Sequence, residues 1–298
     1  MKNYIAILSL LISFSAFGQG NSFTIRVHNK THLKEWNEYS QKHLFSINDN
    51  EISKVELNLY LNCPDSGCSN WDFSVGVLLR KAHNGDTVNY QLGRMITPYS
   101  GAYNQGENAK KWNPKWTWDI TAYLPLLNDS VDIVMVYEGF EDGFLASTDF
   151  VFTKDKDKNQ SIAVENIHYG QFRYGNINDP IDNYVTPKEI IIPKWTKRVY
   201  ARVTISGHGA DSTNASAEFL AKDYYYMVNG ERIHTQTIWR DDCGLNPIQP
   251  QGGTWIYNRA GWCPGTKVNE FLYDITPYIS NGKAVVDIDF EYYKTSQT

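Results

Sequence analysis

Val55-Glu-Leu-Asn-Leu-Tyr-Leu61 alternates apolar and polar side chains from end to end. Successive side chains on a strand point to opposite faces, so a period of two buries one face and wets the other. The pattern returns in Val199, Ala201, Val203 and Ile205. It returns again in Val286, Ile288, Phe290 and Tyr292, where Asp287, Asp289 and Glu291 face the other way. No long apolar stripe at helical spacing competes with it. Many short antiparallel strands with apolar inner faces are accommodated by packing two sheets face to face, so the chain is expected to be an all-β sandwich protein.

An internal repeat sets the number of sandwiches. Trp118-Asp-Ile-Thr-Ala-Tyr-Leu124 and Tyr273-Asp-Ile-Thr-Pro-Tyr-Ile279 match closely, and each leads into an acidic, apolar strand. Asp119 and Asp274 lie 155 positions apart, a period that means two similar domains rather than an array of short repeats. The polar run Lys154-Asp-Lys-Asp-Lys-Asn-Gln160 separates them, so domains are expected at 22–155 and 161–298. After its Asp-Ile-Thr segment the first half continues through Ser147-Thr-Asp-Phe-Val-Phe152, a further strand, for which the second half has little chain left. The second sandwich is therefore expected to lack its last strand, leaving a gap or an open edge.

Residues 1–18 read as a signal peptide: Lys2 and Asn3 precede the apolar run Tyr4 to Phe14, and Ser15-Ala-Phe-Gly18 supplies a small-residue cleavage site. A membrane anchor is the alternative, but the run is too short to span a bilayer. The mature chain is expected to be exported, periplasmic or secreted, with no membrane attachment after signal cleavage, and to act as a monomer. A formal charge of −5 argues against nucleic acid as a partner. Charged residues make up 20% and aromatics 14%, a balance that suits carbohydrate, whose C–H faces stack on aromatic rings. Strand-rich proteins are aromatic-rich in any case, so composition does not separate the two readings. The four cysteines fit disulfides in an oxidising compartment, with three pairings conceivable; a zinc site is the alternative, and no Cys-x-x-Cys spacing supports it.

Two cysteine-anchored segments carry the candidate chemistry: Cys63-Pro-Asp-Ser-Gly-Cys68-Ser-Asn-Trp71-Asp72 and Asn258-Arg-Ala-Gly-Trp262-Cys263-Pro-Gly265. Each sets a tryptophan beside a cysteine or an acid in a loop punctuated by glycine and proline. Together with Leu92-Gly-Arg-Met-Ile-Thr-Pro-Tyr99, Thr204-Ile-Ser-Gly207 and Cys243-Gly-Leu-Asn-Pro247, in this order and spacing, they resemble the secreted bacterial peptide-N-glycosidase F family. The resemblance covers most of the chain after about residue 40. Members of that family cleave the amide joining an N-linked glycan to asparagine. The resemblance implies two tandem antiparallel jelly-roll β-sandwich domains packed side by side with the active site between them. It also implies disulfides Cys63–Cys68 and Cys243–Cys263, no metal or cofactor, and N-linked glycoproteins or glycopeptides as substrates.

Hydrolysing a glycosylamide needs an activated water, a polarised carbonyl and help for the leaving nitrogen, work suited to carboxylates tuned by their surroundings. By resemblance Asp72 is the central catalytic aspartate, a general acid or base on the scissile linkage. Glu218, in Ser216-Ala-Glu-Phe219, corresponds to the family's second acid and is expected to hold the attacking water. The family flanks it with a third disulfide, where this chain has Ser216 and Leu220, so a looser loop is expected. Glu138, in Val136-Tyr-Glu-Gly-Phe140, is the expected third acid, with Glu141 as its neighbouring alternative. Taken alone, each of these is equally a solvated loop acid.

The substrate-binding set is Trp71, Arg259, Trp262, Phe140 and His208. Arg259 fits as the partner that orients Glu218 and keeps it ionised, because guanidinium matches carboxylate geometry. Trp71 and Trp262 would line a sugar platform, unless Trp262 simply packs on Cys263. Phe140 and His208 stand where the family has tryptophans, which makes the contact at 208 polar; Arg94 reads as structural. Phe73 replaces a family arginine beside Asp72, and restoring it by Phe73→Arg is expected to be tolerated or beneficial. A non-catalytic glycan-binding paralogue, keeping Trp71 and the acids without turnover, is the competing function. A copper oxidase on paired jelly rolls is disfavoured because the seven histidines include no His-x-His pair.

Overall fold

Val55, Leu57, Leu59 and Leu61 are fully buried along one strand face, as their alternation requires. Burial of each such side chain contributes about 1.5–3 kcal/mol relative to exposure. The computed structural model describes residues 21–48, 51–83, 85–101, 106–128, 130–155, 161–209 and 216–292; the signal segment 1–18 lies outside them. The strands of the first half are β1 (Ser22–His32), β2 (Asn37–Leu44), β3 (Ile52–Asn62), β4 (Ser74–His83), β5 (Asp86–Ile96), β6 (Lys115–Asp119), β7 (Ser130–Glu138) and β8 (Leu145–Lys154). Those of the second half are β9 (Lys188–Ile191), β10 (Tyr200–Thr204), β11 (Lys222–Val228), β12 (Glu231–Ile238), β13 (Thr266–Lys267), β14 (Glu270–Asp274) and β15 (Lys283–Phe290). Two single-turn helices, α1 (Gly106–Ala109) and α2 (Ser216–Phe219), complete the elements used below.

The molecule is all-β, two antiparallel sandwiches side by side. In the first, a sheet ordered β1-β8-β3-β6 packs on one ordered β13-β5-β4-β7-β2. Its core joins Leu57, Leu59, Phe150 and Phe152 to Val75, Val77, Ile133 and Met135, all almost fully buried. In the second, β12-β11-β15-β9 faces the pair β10-β14. Here Tyr224, Val228, Ile275 and Val286 form the core, and the buried hydroxyls of Tyr224 and Tyr273 share a hydrogen bond of 2.7 Å.

The repeated Asp-Ile-Thr segments occupy equivalent places. Asp119 ends β6 opposite Glu56 of β3, and Asp274 ends β14 opposite Tyr200 of β10. In each case the aspartate Oδ1 accepts the backbone N–H two residues on, at 2.9 Å from Thr121 and 3.0 Å from Thr276, closing a local turn. The isoleucine N–H of each then donates to a valine carbonyl, Ile120 to Val55 and Ile275 to Val199, both at 2.9 Å. The threonine hydroxyls accept from those same two valines, at 3.0 Å from Val55 and 2.8 Å from Val199. One difference remains. β3 pairs with β6 on one edge and β8 on the other, whereas among the described residues β10 pairs only with β14.

The halves are stitched together. β13, from the second half, extends the first half's sheet by pairing Thr266 with Ile96 and Lys267 with Met95. Ile96, Trp262 and Val268 form a buried cluster on the outer face of that sheet. Tyr99 N–H donates to Gln251 Oε1 at 3.0 Å, Gly252 N–H returns to the Tyr99 carbonyl at 3.2 Å, and Trp116 Nε1–H donates to the Gly265 carbonyl at 3.2 Å. These contacts fix the loops that bear the candidate acids.

Candidate active site

Asp72 sits at the end of a loop that is tied down along its length. The Cys63–Cys68 disulfide closes its start. Ser100 Oγ donates to the carbonyls of Cys68 and Ser69, at 3.0 and 2.7 Å. Gly101 N–H donates to the Asn70 carbonyl, and any side chain at Gly101 would collide with Asn70, so glycine is required by close approach. The Glu141 carboxylate accepts Asn70 N–H at 2.7 Å and Asn70 Nδ2–H at 3.4 Å. Beyond Asp72, Phe73 N–H donates to Thr97 Oγ1 at 2.8 Å. The Asp72 side chain is left only 11% exposed. Its near neighbour is Tyr99; burial first, and the Asp72 charge second, hold the phenol well above its usual range, so it stays protonated beside the carboxylate.

The second half contributes Glu218 from α2. Arg259 Nε donates to Glu218 Oε1 at 2.9 Å. Three of the four remaining guanidinium donors are also spent inside the protein: Nη1 on the carbonyls of Thr254 and Tyr257, at 2.8 and 2.6 Å, and Nη2 on Thr254 Oγ1 at 2.8 Å. The guanidinium lies 5.0 Å from the Phe219 ring centroid and 4.8 Å from that of Trp262. Arg259 is 0% exposed. Burial pushes the Glu218 carboxyl above the ordinary carboxylate range and outweighs the lowering effects of the Arg259 charge and hydrogen bond; Asp72 adds to the rise, and His208 works against it. The expectation that Arg259 simply keeps Glu218 ionised therefore captured only one of two opposing effects.

His208 joins the two halves of the site. Its Nε2 lies 3.4 Å from Asp72 Oδ2, and its ring meets Trp262 edge-on with centroids 4.6 Å apart. Trp262 is itself buried, beside the Cys243–Cys263 disulfide and after Gly261, whose φ of 78° and approach to the Ile205 carbonyl leave no room for a side chain. Trp71 and Phe140 are each 54% exposed and offer open ring faces nearby, Trp71 packing against Tyr99 and Phe140 against Phe73. Glu138 ends β7 opposite Ser74, two residues after Asp72, and its charge is felt by Arg94 and Tyr169. Among the described residues no group of three or more His, Cys, Asp or Glu side chains is arranged to hold a metal ion.

Several sequence expectations change here. Arg259 and Trp262 present no surface to a ligand; they form the floor beneath His208 and Glu218 rather than a sugar platform. Of the two alternatives for the third acid, Glu141 is engaged by the Asn70 backbone, whereas Glu138 stands at the end of β7. Phe73 is 5% exposed and packs edge-on against Tyr137 and Phe140, so it points into the first core rather than beside the Asp72 carboxylate. An arginine there would be buried without a partner. Tyr99 was missed as a site residue. Its signal lay in Thr97-Pro98-Tyr99, where proline ends a strand and delivers the following side chain at the sheet's rim.

Comparison with known proteins agrees with this architecture. Residues 176–297 match the family model described as Peptide-N-glycosidase F, C terminal. The Peptide-N(4)-(N-acetyl-beta-D-glucosaminyl)asparagine amidase F of Elizabethkingia miricola is 26% identical over 228 residues, which cover 73% of this chain and 62% of that protein. The aligned part thus spans less than two thirds of that curated relative. Among solved structures, PNGase F, a glycosylasparaginase from Flavobacterium meningosepticum, superposes with a TM-score of 0.74 at 21% identity, covering 93% of this chain and 91% of that one. PNGF-II superposes with a TM-score of 0.62 at 17% identity, over 91% of this chain and 62% of that one. At these identities the superpositions establish a shared fold.

Proposed function

We propose that this chain, which belongs to the peptide-N-glycosidase F family, hydrolyses the glycosylamide bond between asparagine and N-linked glycans on glycoproteins or glycopeptides. The observation that carries this reading is that Asp72 and Glu218, from opposite halves of the chain, contribute to one partly buried cluster, where the Asp72 charge adds to the burial that holds the Glu218 carboxyl above its ordinary range. Water held by Glu218 adds to the amide carbonyl carbon, the C–N bond breaks, and Asp72 moves the proton that the departing nitrogen needs. The products are a glycosylamine, which then loses ammonia, and a peptide carrying aspartate in place of asparagine. Glu138 acts from the end of β7 as the third acid, and the open faces of Trp71 and Phe140 receive the sugar rings. The chemistry requires no metal or cofactor.

In the same reading residues 22–155 and 161–298 are the two domains, and the site exists only where they meet. Signal segment 1–18 directs export, to a compartment in which both disulfides persist. No helix among the described residues is long and apolar enough to cross a membrane. The protein works as a monomer on soluble substrates. The exposed rings of Trp71 and Phe140 would serve a non-catalytic glycan binder equally well, and one experiment separates the two functions. The purified protein is incubated with an N-glycopeptide in EDTA and the peptide is weighed. Conversion of the glycosylated asparagine to aspartate supports the amidase. Binding without conversion replaces it with the binder, and neither result refutes both.

A further inference from the structure

We propose that His208 is a positioning residue for Asp72: it reaches across the junction and fixes the orientation of the carboxylate during turnover, rather than contacting the sugar. The proposal rests on the amidase reading above and gives this side chain a new role within it.

The geometry points inward. His208 Nε2 is 3.4 Å from Asp72 Oδ2, and both side chains are largely withdrawn from solvent, at 21% and 11% exposure. The ring is seated on a rigid support, edge-on to the buried Trp262. Its backbone is anchored next door, where Gly207 N–H donates to the Ala260 carbonyl at 2.9 Å, in the segment that also carries Arg259 and the disulfide-bonded Cys263. On its own half Asp72 has the protonated Tyr99 phenol as its neighbour. A carboxylate held by one donor retains rotational freedom about its Cβ–Cγ bond, and a second donor from a different direction removes it.

Arg259 is committed elsewhere, with four of its five N–H donors on Glu218, Thr254 and Tyr257. Because Asp72 and His208 belong to different halves, the same contact makes the acid's alignment depend on the seating of one sandwich against the other.

The test compares His208→Phe, which keeps a ring against Trp262 but removes the donor, with His208→Gln, which keeps a terminal N–H. On a glycopeptide, His208→Phe should lower kcat on the order of 10-fold, the scale of one hydrogen bond to a charged group, with KM moved less than about twofold. His208→Gln should recover part of that loss. A rise in KM at unchanged kcat would overturn the proposal in favour of a sugar contact, and an unchanged kcat and KM would remove any role.

A readout independent of turnover keeps this separate from the amidase reading. The His208 ring resonance, identified by its loss in His208→Gln, should move when Asp72 is replaced by asparagine. If it stays in place, the contact is absent and the proposal fails even in an active enzyme. If it moves in a protein without turnover, the contact stands and the amidase reading is what falls.

Discussion

Replacing Arg259 by methionine should destabilise the protein by about 4 kcal/mol, although no surface changes. Methionine fills the volume of the side-chain stem, so the loss is chiefly polar. The substitution strands Glu218 and removes the donors serving the Thr254 and Tyr257 carbonyls and the Thr254 hydroxyl. Removing one partner of a buried ion pair costs about 3–5 kcal/mol. The Glu218 side chain retains 22% exposure, which places this pair at the lower end, about 3 kcal/mol. The stranded backbone and hydroxyl acceptors add on the order of 1 kcal/mol. For a chain of this size that corresponds to a fall in Tm of about 8–16 °C.

Urea unfolding followed by tryptophan fluorescence measures the change directly. A cycle with Glu218→Gln should show coupling of about 1–3 kcal/mol, because once the charge is gone Arg259 has less to neutralise. The pH dependence has a definite sign. Burial already raises the Glu218 carboxyl above its unfolded value, and loss of Arg259 raises it further. The folded state then binds more protons than the unfolded state between the two values, so the stability due to protonation is complete below the unfolded pKa and is lost as pH rises through the folded one. The penalty of Arg259→Met should accordingly shrink on acidification through the carboxylate range. A Tm shift under about 2 °C, or a penalty that grows as pH falls, would refute this account of the site floor.

Asp72→Asn should reduce deglycosylation on the order of 10²–10⁴-fold while leaving glycan binding in place, measured by peptide mass and by titration calorimetry; near wild-type turnover would end the proposed mechanism. Phe73→Arg should be disruptive rather than tolerated, because the ring it replaces is buried between Tyr137 and Phe140; a loss of about 3–5 kcal/mol is expected in urea unfolding, and an unchanged midpoint would contradict the packing. Paired replacement of Cys243 and Cys263 by serine opens a loop with a sequence separation of 20 and should cost roughly 3 kcal/mol in the same assay. Glu141→Ala should leave the fold intact but release Asn70 N–H, which amide hydrogen exchange at Asn70 reads as lost protection.

The parts of this protein readable in its sequence are those whose physics is local. Alternation in Val55–Leu61 reports a half-buried strand because adjacent side chains must face opposite ways, whatever lies beyond. The two Asp-Ile-Thr segments close the same turn through a bond spanning two residues, so their recurrence reported two sandwiches before any packing was known. Cys63–Cys68 and Cys243–Cys263 are near neighbours along the chain, and the order of motifs around them was enough to indicate the pairing. Asp72 and Glu218 were paired on resemblance alone, and in the structure the Asp72 charge reaches the Glu218 carboxyl.

What the sequence left open is decided by contacts between residues far apart in the chain. Trp71 and Trp262 stand in similar loops, yet the first is exposed and the second buried, because only Trp262 has Ile96 and Val268 packed over it. Glu138 and Glu141 are three residues apart, and Asn70 engages only the second of them. Phe73 and Asp72 are adjacent, but the strand that begins beyond them sends one ring into the core and leaves the carboxylate at the junction. Tyr99 is brought beside Asp72 by the pairing of β4 with β5 inside the first half, whereas His208 meets Asp72 only because the two sandwiches seat against each other along β5 and β13. A side chain's type is written at its own position, whereas its exposure, partners and ionisation depend on which distant residues exclude water from it, and that is settled only when the tertiary structure closes.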